Sequence, residues 1–187
     1  MSNRARAARI LLIIAVLVAV VPGGRAAADP VRSPAAAPPG TAAAPGGWER
    51  YPAADFTSAA GDLCAFGFSS TVLFDQVYVR TTRTFADGTP RRQEYVGPLV
   101  VRLTNLTTGA AIVRDLSGRA VATYRKDGSY TFAISGPVAV GFRSGDSLPR
   151  GYYVLRGEHV VRFAASGTRT ILVDRGREEN LCRALGS

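Results

Sequence analysis

Beyond residue 62, apolar and polar residues alternate with a period of two in short runs broken by glycine-containing turn pairs, the pattern of half-buried β-strands. The strongest instance is the run 121–134, which reverses at Asp127-Gly128, a dipeptide that tolerates the positive φ angles of a tight hairpin. With Asp127 and Gly128 as the two loop residues, Lys126 faces Ser129, Arg125 faces Tyr130, Thr123 faces Phe132 and Val121 faces Ile134. This register predicts one face made of Val121, Thr123, Tyr130, Phe132 and Ile134. The other face carries Ala122, Tyr124, Thr131 and Ala133.

The same reading predicts strands over 66–74, 77–85, 93–96, 99–104, 111–114, 138–142, 152–155, 159–163 and 168–173. Turns fall at Asp87-Gly88, 105–109, Ser117-Gly118, Gly136-Pro137, Arg156-Gly157 and Ser166-Gly167, with 144–151 as the longest connecting loop. A helical turn over 177–185 would deliver Cys182. Short links favour pairing between neighbours in sequence. The expected fold is therefore all-β, an antiparallel meander of about 9–11 short strands forming an up-and-down barrel or a curled sandwich. Trp48, Tyr51 and Phe56, which lead into the strands, are expected to plug one end of the core, the alternative for Trp48 being a sugar-stacking platform.

Cys64 and Cys182 are the only cysteines, one near the start of the strand-rich region and one just past its end. In an exported chain such a pair reads as one disulfide. Closing so long a loop stabilises by about 4–5 kcal/mol on the chain-entropy model. It also requires the two ends of the meander to meet, which makes the barrel the preferred form.

The chain begins with Arg4, Arg6 and Arg9, continues through an apolar run at 10–21 and reaches Ala26-Ala27-Ala28. This is the layout of a secretory signal peptide, with cleavage expected near Ala28, and the run is shorter than the roughly 20 residues of a membrane span. No cysteine follows the cleavage site, as a lipoprotein would need. Segment 29–47 is almost wholly Ala, Pro and Gly and reads as a disordered linker. Residues 48–187 then form a single domain, extracellular or held in the cell envelope, with no membrane span in the mature chain.

Arg4, Arg6, Arg9 and Arg25 account for four of the formal +9 charges, leaving +5 from Asp29 onward. Lys126 is the only lysine, and the arginines alternate with apolar residues instead of clustering. That is the solvated face of a sheet, and no nucleic-acid partner is expected.

Candidate chemistry is sparse. His159 is the only histidine, and no G-x-S-x-G elbow accompanies it. Zinc wants three or four ligands, while the cysteines are expected to bond to each other, so neither a metal nor a cofactor is expected. The acids Asp62, Asp75, Glu94, Asp115, Glu158 and Asp174 fall at turns and strand ends, and no catalytic residue is assigned. Asn105-Leu106-Thr107 matches a glycosylation sequon but coincides with a turn that favours Asn. Tyr152 and Tyr153, beside the long loop, together with Glu158 and His159, are the candidate ligand-binding residues.

The segments Asp62-Leu63-Cys64-Ala65-Phe66, 103–109, Asp127-Gly128 and Asn180-Leu181-Cys182-Arg183-Ala184-Leu185 resemble uncharacterised secreted β-domain proteins of actinomycetes. The resemblance spans nearly all of the domain and implies export and a β fold without supplying an activity. The expected function is a non-enzymatic binding or envelope interaction module for a small apolar molecule or a cell-envelope glycan. The alternative is a barrel enzyme, an isomerase, cyclase or glycosidase, using inward-facing ionisable residues.

Overall fold

The computed structural model describes residues 47–186. The expected signal peptide, and the linker up to residue 46, lie outside the described residues. The strands are β1 (Glu49–Arg50), β2 (Phe56–Ser58), β3 (Phe68–Asp75), β4 (Tyr78–Thr84), β5 (Pro90–Val96) and β6 (Leu99–Asn105). They continue with β7 (Ala111–Asp115), β8 (Arg119–Tyr124), β9 (Tyr130–Ser135), β10 (Val138–Phe142), β11 (Gly151–Phe163) and β12 (Arg169–Asn180), before one helical turn, α1 (Leu181–Ala184).

The first ten strands are halves of five bent ribbons. Only Gln76-Val77 separates β3 from β4, and only Gly97-Pro98 separates β5 from β6. At this bend the Gln76 amide donates to the Pro98 carbonyl (2.9 Å), so the two ribbons stay in register through it. Each ribbon pairs antiparallel with the next in sequence: β1 and β2 with β4 and β3, then β4 and β3 with β5 and β6, and these with β8 and β7. The expected meander is therefore present, because short links leave each strand no nearer partner.

Beyond β7 and β8 the meander splits. β9 pairs with β8 and with the C-terminal half of β11, while β10 pairs with the N-terminal half of β11. β7 ends a four-stranded sheet, β2-β3-β6-β7, and the remaining eight strands form the other sheet.

Two hydrophobic cores follow. The concave side of the larger sheet holds Val79, Tyr95, Ala122, Phe132, Ile134, Phe142, Tyr153, Leu155 and Val161. A second core lies between Val154 and Tyr152 on the other face of β11 and Phe68, Val101 and Leu103 of the smaller sheet. The N-terminal half of β11 is thus a middle layer buried on both faces, with Val154 and Leu155 both 0% exposed. Residues of alternate parity serve different cores.

The sheets are antiparallel but do not close into a barrel, and a sandwich describes them better. β12 pairs as a strand only with β11, and no strand among the described residues pairs with its other edge. The middle layer occupies the space that a lumen would need. The ends of the meander meet through side chains instead. Cys64 and Cys182 are disulfide-bonded with Cα atoms 5.4 Å apart, which ties the β2–β3 loop to α1. Leu181 and Leu185 sit in the second core beside that bond, and Arg114 Nε of β7 donates to Glu179 Oε1 of β12 at 2.6 Å.

Two local expectations are corrected. In the central hairpin Tyr124 pairs with Tyr130, Ala122 with Phe132 and Ala120 with Ile134, one residue out of the expected register. The Arg125 amide bonds the Ser129 carbonyl and the Gly128 amide bonds Arg125, so the loop has three residues, Lys126-Asp127-Gly128, with Gly128 at φ +83°. This is a type I turn followed by a left-handed glycine. Ala120, Ala122 and Tyr124, rather than Val121 and Thr123, therefore face the core. Arg156-Gly157, expected as a turn, lies inside β11 as a corner. Gly157 (φ +99°) stands opposite Gly176 of β12, and a Cβ on Gly176 would come within 1.8 Å of the Arg156 carbonyl oxygen. Only glycine allows the strands to cross so closely there.

Candidate functional site

The four residues singled out by sequence do not converge. Tyr152 and Tyr153 are neighbours on one strand and point to opposite faces. Tyr152 stacks on Phe68 (5.4 Å between centroids) and meets Phe56 edge-on, and burial pushes its hydroxyl pKa up. Tyr153 packs edge-on against Phe142, donates to the Pro149 carbonyl (3.0 Å) and accepts from Asn180 Nδ2 (3.1 Å). Glu158 is exposed, whereas His159 is 1% exposed.

His159 does gather partners, which sequence reasoning missed. Its Nε2 lies 3.2 Å from Asp174 Oδ1 and 3.2 Å from Glu178 Oε1. Asp174 is its partner across the β11–β12 ladder, and Glu178 reaches back over the glycine corner. One ligand atom from each of the three residues lies within 4.8 Å of the others. The Ser166-Gly167 turn was legible, but an irregularity in the ladder between Val160 and Val161 shifts the register, so counting from the turn misplaces the partner of His159.

Aromatic groups fill the concave side of the large sheet. Tyr95 and Tyr124 hydroxyls both donate to Gln93 Oε1, at 2.9 and 3.0 Å, and Tyr51 meets Tyr95 edge-on at 5.3 Å. Burial pushes the Tyr51 pKa up to about 12 and raises those of Tyr95, Tyr124 and Tyr130 as well. These hydroxyls stay protonated, and those of Tyr95 and Tyr124 serve as donors within the core.

The outer face of the same sheet is built differently. Register places Arg80, Glu94 and Val121 in one row across β4, β5 and β8, and Tyr78, Val96 and Arg119 in the next. Trp48 precedes Glu49, the partner of Val79, and its indole lies over the Arg80 guanidinium at 4.6 Å. Arg80 in turn donates through Nε and Nη2 to Glu94 Oε2, at 2.9 and 2.7 Å. Trp48 was expected to plug the core; Tyr51 and Phe56 do pack inward, whereas Trp48 lies outside on the cation. With Arg119, Val96, Val121, Tyr95 and Ala120, these residues line a groove of about 330 Å³. Its chemistry is an indole face, two guanidinium groups and one carboxylate over an apolar floor.

Asp75 and Asp115 have structural partners, whereas the Oδ2 of Asp62 is buried without a hydrogen-bond partner. Asp75 accepts from the Ala53 and Val77 amides, both at 2.7 Å, and Asp115 from the Ser117 amide at 2.8 Å. Asn105, first residue of the sequon, is 1% exposed and accepts from the Thr107 and Thr108 amides, so it shapes its turn. No family model, curated protein or solved structure matches the chain.

Proposed function

We propose that the chain is an exported, non-catalytic binding module that takes an envelope glycan on the outer face of its large sheet, at Trp48. The observation that carries this reading is the groove whose lining side chains Trp48, Arg80, Glu94 and Arg119 belong to neither core. Sugars stack on aromatic faces, and their hydroxyl and carboxylate groups suit guanidinium and carboxylate partners. The ion pair between Arg80 and Glu94 holds both groups in place before a ligand arrives, which lowers the ordering cost of binding. Export is supported by the basic, apolar and small-residue order of the N-terminus and by the Cys64–Cys182 bond, which persists in oxidising surroundings.

Two observations favour this reading over its rivals. The interior position expected for an apolar ligand is occupied by Tyr95, Tyr130 and Phe132, and the candidate acid Glu158 points away from His159. Titration calorimetry with soluble cell-wall oligosaccharides tests the proposal. Trp48→Ala is expected to weaken binding by about tenfold or more, the effect of losing an anchoring aromatic, with little change in thermal midpoint. Binding that survives Trp48→Ala and Arg119→Ala unchanged would place the ligand elsewhere, and absence of heat from every glycan would remove this function.

A further inference from the structure

We propose that His159, Asp174 and Glu178 form a binding site for a divalent transition-metal ion of the zinc class. The carboxylates belong to an exposed stretch of β12, yet neither forms an ion pair with an arginine among the described residues. In a chain so rich in arginine, both converge on one imidazole nitrogen. That nitrogen carries at most one hydrogen for two carboxylate oxygens. His159 also has no polar partner outside the group: its side chain is 0% exposed and its Nδ1 is buried without one. The imidazole is therefore committed to the carboxylates alone.

The spacing suits an ion. Two ligands about 2.0–2.1 Å from a common tetrahedral zinc stand roughly 3.3 Å apart, and Nε2 is 3.2 Å from each carboxylate oxygen. The backbone is shaped for the group as well. A Cβ on Gly176 would lie 2.8 Å from His159 Cε1, so the glycine leaves room for the ring and lets it reach Glu178 beyond the corner. The Asp174 side chain is 54% exposed, which opens a path from solvent. One imidazole nitrogen and two carboxylate oxygens select zinc-like ions over calcium, which takes six to eight oxygen ligands. Water would complete the coordination. Bound there, the ion clamps β11 to β12 across their glycine corner, far in function from the Trp48 groove.

Calorimetry of the full chain with zinc chloride, alongside calcium and magnesium chlorides, tests the site. One equivalent of zinc is expected to bind and to raise the thermal midpoint. Asp174→Asn and Glu178→Gln, changes to solvent-reaching side chains, are each expected to weaken zinc by at least the roughly ten- to hundredfold that follows loss of a lesser supporting contact. His159→Gln is expected to abolish binding. The proposal is overturned if millimolar zinc does not bind, if the double carboxylate variant binds zinc as tightly as the parent, or if calcium or magnesium binds as tightly as zinc.

Discussion

At the scale of single residues, the turn acids show how a short side chain fixes a loop. Asp127 Oδ1 accepts from the Ser129 amide (2.9 Å) and hydroxyl (2.7 Å), and Asp87 Oδ1 does the same with Thr89, at 2.9 and 2.6 Å. The side-chain hydrogen bond, then the backbone one, holds each carboxyl below its ordinary 3.8. A folded-state pKa below the unfolded one gives stability that is complete above the unfolded value and lost as pH falls through the folded value. Carboxyl carbon titration by NMR should therefore find both midpoints below 3.8, and Ser129→Ala should move that of Asp127 upward. Equal midpoints in parent and variant would deny the bond. The residue identities of the His159 group were on the page of the sequence from the start. Its geometry was not, because it depends on a register shift and a glycine corner that alternation does not encode.

Among elements, three hairpins share one design. Phe85 bonds Thr89, Arg125 bonds Ser129 and Ala164 bonds Thr168, and each pair encloses three residues ending in glycine. The Asp-Gly and Ser-Gly pairs announced the turns, but loop length decides which face of each strand turns inward, and composition does not state that length. Gly128→Ala would force a side chain into the left-handed region at a cost of about 1–2 kcal/mol. Urea unfolding should register this as a lower midpoint at unchanged slope; an unchanged midpoint would mean the three-residue loop is wrongly drawn. The β11 corner was misread for a related reason. An arginine beside a glycine between two apolar runs looks like a hairpin, and only the ladder to β12, continuous from Tyr153 to Val160, reveals one bent strand.

For the whole molecule, neighbour pairing and the disulfide were legible because both follow from short links and from two cysteines at the ends of the strand-rich region. The split of the meander was not. Gln76-Val77 and Gly97-Pro98 look like ordinary gaps between strands, yet they bend continuous ribbons from one sheet into another. Since no second strand pairs with β12 among the described residues, the Cys64–Cys182 bond and the apolar contacts beside it hold the open end. Reduction should cost about 4–5 kcal/mol for a loop of this length, a loss that denaturation with and without reductant will measure. Equal stability in both would mean that packing alone closes the structure.

The groove proposed to take a glycan lies on the outer face of the large sheet, and one chromophore stands in it. Trp48 is the only tryptophan, so its emission reports on the groove without labels or variants. Titrating the chain with soluble envelope glycan should produce a saturable change in that emission, with the same midpoint as the calorimetric isotherm. Heat of binding with no change in tryptophan emission would contradict the account.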